Sequence, residues 1–163
     1  FEVIFKEAQR IVRANSGQFE NYASLVQSGD LYEVIYRRVF GRSPSAEERD
    51  QYKQVVFSQI FYGELKYQSK AIEAFRDMFP AVHDLLCLMK SEQFEVLPRL
   101  MQRVESEIII ETAARDFLAR SGGAFLATVH DSFFCLEGDS WMAKVCLEDA
   151  FSQYGLWPTC RIK

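Results

Sequence analysis

Ala124-Phe-Leu-Ala-Thr-Val-His130-Asp131-Ser132-Phe-Phe-Cys-Leu136 decides how this chain is read. Two short runs of Val, Phe, Leu and Thr flank a His-Asp pair, and such residues suit a pleated, half-buried surface. The arrangement predicts strand, reversal, strand, with Asp131 at or beside a hairpin turn. A carboxylate presented there at the edge of a sheet suits a metal ion. Asp is also a common turn residue, because its side chain bonds to nearby backbone. Both readings stand on this segment alone.

Working outward, Ser140 to Tyr154 predicts a helix ended by Gly155, and Trp157–Lys163 reads as a last strand. Strand, strand, helix and strand make a small antiparallel sheet with a helix on one face. Upstream, Phe94 to about Arg120 predicts a long helix closed by Ser121-Gly-Gly123. Pro98 moves its expected start to Leu97 or Pro98. Earlier helices are expected over Phe1–Asn15, which Ser16-Gly17 ends, and over Asn21–Gln27, stopped at Ser28-Gly29. Asp30 is the expected N-cap of Leu31–Phe40, through its short acceptor side chain. Ser45-Ala-Glu-Glu48 has capping-box spacing for a helix running through Arg49–Phe61 to Gly63. Glu64–Lys70 reads as a polar connection, Ala71–Met78 as a helix broken at Phe79-Pro80, and Ala81–Lys90 as another. The fold class is α+β, mostly helical with a small C-terminal antiparallel sheet.

The chain has 163 residues, 48% of them apolar, with fourteen Phe, so one unit with a sizeable core is expected and disorder is excluded. The net charge of −4 weighs against a free-standing nucleic-acid binder with a broad basic surface, and leaves room for a local basic face. Cys87, Cys135, Cys146 and Cys160 form no C-x-x-C pair, which points to reduced thiols and a cytoplasmic setting. No segment approaches eighteen uninterrupted apolar residues, so no membrane span is expected. The opening Phe1-Glu2 suggests a fragment or a processed chain.

Arg49, Lys53 and Phe57 recur at four-residue spacing, followed by Tyr62-Gly63. On a helix that spacing makes one row. Two cations above an aromatic suit a triphosphate with a nucleobase stacked beyond it. A solvated helix edge beside a core Phe gives the same pattern. Gln102 lies on the long helix leading to the hairpin, where it can donate and accept in a groove. Glu105 and Glu107 diverge by roughly 200° around that helix and make a weak metal pair.

Arg49-x3-Lys53-x3-Phe57 with Tyr62-Gly63, Leu100-Met-Gln102-x2-Glu105-Ser106 and Val129-His130-Asp131-Ser132 occur in the order found in family A DNA polymerases. The chain resembles the phage- and prophage-type members over roughly Leu25 to Lys163. Gly29-Asp30-Leu31-Tyr32-Glu33 also resembles the segment before their fingers helix, and Pro158-Thr-Cys-Arg-Ile-Lys163 their last strand. The resemblance implies fingers-like helices over about 30–95 and a palm-like helix, hairpin, helix and strand over 96–163. It implies template-directed nucleotidyl transfer from deoxynucleoside triphosphates to primer-template DNA, with two Mg²⁺ ions. Asp131 would be a metal-binding carboxylate, and His130 would sit near the primer terminus. Arg49 and Lys53 would bind the triphosphate, with Lys53 also supplying a proton to pyrophosphate. Phe57 or Tyr62 would stack near the nascent pair, while Gln102 and Gly63 would face DNA.

The chain departs from the family pattern in four places. The family's other catalytic Asp motif is not found in Phe1–Asn21, so the expectation is a fragment, inactive alone and completed by an N-terminal part. Ser132 stands where cellular members carry Glu; Ser there also occurs in single-subunit phage RNA polymerases, a first alternative. The Phe57-to-Tyr62 interval is one residue long, so Phe61 takes the tyrosine's place by helical register and Tyr62 by motif. Phe94 and Pro98 replace polar companions of Gln102. A non-catalytic helical interaction module is the second alternative.

Overall fold

A computed structural model describes residues 2–64, 68–91, 93–129 and 132–162, with backbone alone for residues 2 and 3. His130 and Asp131 lie outside the described residues. The fold is α+β: nine α-helices and one two-stranded antiparallel sheet are found among the described residues. The chain forms two compact units, Phe1–Arg99 and Leu100–Lys163.

The first unit is helical: α1 (Glu2–Ala14), α2 (Ser16–Ser28), α3 (Leu31–Phe40), α4 (Ala46–Val56), α5 (Lys70–Met78) and α6 (Pro80–Met89). α3 turns Leu31 and Ile35 inward, and α5 turns Ile72 and Phe75, at the three- and four-residue spacing of one helix face. Phe75 is the centre of an aromatic cluster, with ring centroids 6.1 Å from Tyr22, 6.2 Å from Phe61 and 5.5 Å from Phe79. Pro80 opens α6, where its missing N–H costs no helical bond, and the carboxamide oxygen of Gln18 accepts from the Ala81 amide at 2.5 Å.

Three local expectations are corrected in this unit. Ser16-Gly17 begins α2 instead of ending α1; the break falls at Asn15, whose side chain donates to the Ile11 carbonyl at 2.9 Å. Asp30 makes no side-chain cap. Its backbone is recruited to close α2: the Gly29 amide bonds Val26 and the Asp30 amide bonds Leu25, with Gly29 at φ 78°. That closure sets Asp30 in helical geometry (φ −86°, ψ −10°) instead of the extended geometry that an N-cap uses. The helix of Arg49 and Lys53 does not run on as α-helix either. Residues Phe57–Phe61 widen into a π-turn, and the Tyr62 amide donates to the Phe57 carbonyl, five residues back, at 2.8 Å.

α7 (Val96–Ser106) begins before Pro98, which sits in the first turn where amides have no helical partner. In the second unit the expected long helix runs on without a break, but as a π-segment, Glu107–Ala114, and then α8 (Arg115–Ser121), with helical backbone at the junctions Ser106 and Arg115. The Thr112 hydroxyl donates to the Glu107 carbonyl at 3.2 Å, bridging the widened turn. β1 (Leu126–Val129) and β2 (Ser132–Cys135) pair antiparallel, from Leu126 opposite Cys135 to Val129 opposite Ser132. Leu126, Phe133 and Cys135 face Phe117 and, from α9 (Ser140–Ser152), Ala143 and Cys146. The expected strand at Trp157–Lys163 is not formed: its described residues, through Ile162, pair with nothing in the sheet. Pro158 removes a ladder donor, and Trp157 and Ile162 are 66% and 53% exposed, so no apolar face is buried there to hold a strand. No helix of the described residues is long and apolar enough to cross a membrane.

Candidate functional site

The capping box at the start of α4 is formed as its spacing predicts. Ser45 accepts from the Glu48 amide at 3.2 Å, and the Glu48 carboxylate accepts from the Ser45 amide at 2.8 Å. Glu48 does more than its spacing foretells. It also takes both terminal nitrogens of Arg42 and the Tyr36 hydroxyl, the latter at 2.9 Å. Arg42 above all, then the Ser45 amide and Tyr36, hold its carboxyl well below the usual carboxylate range. This cluster anchors the N-terminal end of the helix that carries Arg49 and Lys53.

Arg49 is half-buried, and one terminal nitrogen donates to the Gly29 carbonyl at 2.7 Å. A guanidinium carries five N–H donors, so this tether leaves most of its fork for a ligand. Lys53 is exposed, with its ammonium 5.8 Å from the Tyr32 ring centroid and 5.9 Å from that of Phe57. Tyr32 and Phe57 are themselves 6.1 Å apart. Burial raises the Tyr32 hydroxyl's pKa, with Arg49 opposing the shift. Tyr32 is therefore a member of this cluster that the helical row by itself does not show; its signal is Gly29-Asp30-Leu31-Tyr32-Glu33.

The π-turn determines which aromatic follows Phe57. Phe61 is buried at 8% exposure and packs on Phe75, whereas Tyr62 is 40% exposed. The rings of Phe57 and Tyr62 stack at 5.8 Å and 26°. One extra residue in the turn thus restores to Tyr62 the place that an α-helix would give Phe61. Arg49, Lys53, Phe57 and Tyr62 form a continuous cationic-to-aromatic face.

Gly63 has a steric reason to be glycine. A Cβ there would lie 2.5 Å from the Ser58 carbonyl oxygen and 3.2 Å from that of Gln59. The backbone folds directly over the π-turn, and Lys90 reaches both parts. Its Nζ donates to the Ile60 carbonyl at 2.6 Å and the Gly63 carbonyl at 2.7 Å. Burial pulls the Lys90 ammonium down to about 8, with Cys87 opposing. Nothing in the local sequence marks Lys90, a lone lysine after the apolar run Leu85–Met89.

In the second unit Gln102, Glu105 and Glu107 are all exposed. Asp131 and His130, the candidate metal and primer-end residues, lie outside the described residues. Among the described residues no three His, Cys, Asp or Glu side chains converge as a metal site. The four cysteines are free thiols: Cys146 is buried, and Cys87, Cys135 and Cys160 are half-buried. No family model, curated protein or solved structure matches the chain.

Proposed function

We propose that this chain is the fingers-and-palm part of a phage-type, family A-like DNA polymerase, a nucleotidyltransferase acting on primer-template DNA. The observation that carries the reading is the face of Arg49, Lys53, Phe57 and Tyr62, made continuous by the π-turn. Its cationic end suits a triphosphate and its stacked aromatic end a nucleobase. In the proposed reaction the primer 3′-hydroxyl gives its proton to solvent water and attacks the α-phosphorus of a deoxynucleoside triphosphate, a new O–P bond forming as the bond to the departing pyrophosphate breaks. Arg49 and Lys53 hold the triphosphate, and Lys53 donates a proton to the departing pyrophosphate. Asp131 would hold Mg²⁺ in this reading, and the ion would supply Lewis-acid stabilisation of the developing charge. Two-metal chemistry calls for a further carboxylate, which the family carries upstream of the region resembled here. Gln102 faces the minor groove in this reading, where universal acceptors report pair shape. A second reading, a single-subunit RNA polymerase, is favoured by Ser132 after Asp131.

Photolabelling with 8-azido-dATP and Mg²⁺ tests the proposal. The tryptic peptide spanning residues 54–66, which contains Phe57 and Tyr62, should carry the label, and dATP and pyrophosphate should each displace it. ATP competing as well as dATP selects the RNA-polymerase reading. Label elsewhere, indifferent to dATP, refutes both.

A further inference from the structure

Helix C-termini leave carbonyls without helical partners, and a cation placed there meets both the free acceptors and the negative end of the helix dipole. Lys90 does this for the π-turn from a different helix, just beyond α6. It is 9% exposed. A buried ammonium is a poor source of net stability, because lost hydration offsets most of what its acceptors return. What it supplies is direction. Its two bonds span the turn from Ile60 to Gly63, and Tyr62 lies between them.

We propose that Lys90 is a positioning residue for the nucleotide-facing row: its ammonium grips the Ile60 and Gly63 carbonyls and so keeps Tyr62 stacked on Phe57. The inference rests on the nucleotide reading of that row. Without the grip the Ile60 and Gly63 carbonyls lose their shared donor, the bond from the Tyr62 amide to the Phe57 carbonyl opens more often, and Tyr62 moves away from Phe57. Lys90 touches neither base nor phosphate in this account and acts through Tyr62.

The full chain is compared as wild type, Lys90→Met, Lys90→Arg and Lys53→Ala. Two quantities are read: exchange protection of the Tyr62 amide, and the dissociation constant of dATP with Mg²⁺. Lys90→Met should lose about tenfold in each, while Lys90→Arg, which keeps a cationic donor, should stay within about threefold of wild type. Should Lys90→Met fail to fold, Lys90→Gln, a neutral donor of shorter reach, is read in the same way. Tyr62 protection unchanged in the folded variant overturns the proposal. So does lost protection with dATP affinity intact. Lys53→Ala keeps the parent reading separate: wild-type dATP affinity in that variant counts against the nucleotide site, whatever Lys90 does. In that event the Tyr62 amide alone decides the grip, lost protection upholding it and wild-type protection overturning it.

Discussion

Gly63→Ala separates packing from ligand contact at the end of the π-turn. The added methyl would sit 2.5 Å from the Ser58 carbonyl oxygen, 3.2 Å from that of Gln59 and 3.4 Å from the Gln59 Cα. Non-bonded carbon contacts are comfortable near about 3.5 Å, so the chain must retreat by roughly 1 Å. The obstacles are backbone atoms, and the Gly63 carbonyl is itself held by Lys90, so no flexible side chain can swing aside. Overpacking of this kind costs about 1–3 kcal/mol. For a unit of this size, each kcal/mol lowers Tm by roughly 4–8 °C. Urea and thermal unfolding of the ligand-free chain, followed by far-ultraviolet circular dichroism, read the loss directly. Gly17→Ala is the control: it lies in α2 with nothing within 4 Å of the new methyl, and should stabilise by about 0.5 kcal/mol through helix propensity. If Gly63→Ala is as stable as wild type, the steric argument fails, and a glycine required only for DNA contact becomes the better account.

Two further outcomes follow from burial. Phe75→Ala should cost about 3–5 kcal/mol in denaturant unfolding, because the ring is fully buried among Tyr22, Phe61 and Phe79, whereas Phe5→Ala, at a 61% exposed ring, should cost under about 0.5 kcal/mol. Burial first, then Asp116, pushes the Cys146 thiol up to about 11 from an ordinary 9.0. The folded chain therefore holds this proton where the unfolded chain has released it, and stability falls as pH rises from about 9 to 11. Cys146→Ala should flatten that part of the stability profile; an unchanged slope contradicts the assignment.

Much of this fold is written locally. The Ser45–Glu48 capping box, the helix of Leu31–Phe40 and the hairpin arms around His130-Asp131 follow from neighbours a few residues apart. Where the reading missed, a more distant or competing partner decides the geometry. Asp30 looks like an N-cap, yet the closing bonds of α2 claim its backbone. Trp157–Lys163 has strand-like residues, but Trp157 and Ile162 stay exposed and Pro158 and Cys160 are only half-buried, too little to hold a strand. The π-turn left a trace in the sequence, the extra residue between Phe57 and Tyr62, whose meaning becomes clear only when Phe61 is seen packed on Phe75. Lys90 left none, because its acceptors lie far away along the chain on carbonyls common to all residues. Arg49 and Lys53 share a face as their spacing requires, while the Gly29 tether and the Tyr32 ring beside them depend on how α2 and α3 pack.

On the proposed reading this row takes a nucleoside triphosphate by its phosphates. Titration calorimetry of the full chain with dATP and with deoxyadenosine, each with Mg²⁺, tests it most directly. dATP should bind at least about a hundredfold more tightly, roughly 2.7 kcal/mol, and Lys53→Ala and Arg49→Ala should each remove a large part of that difference. Equal affinities for the two ligands, or a difference untouched by both substitutions, would contradict it.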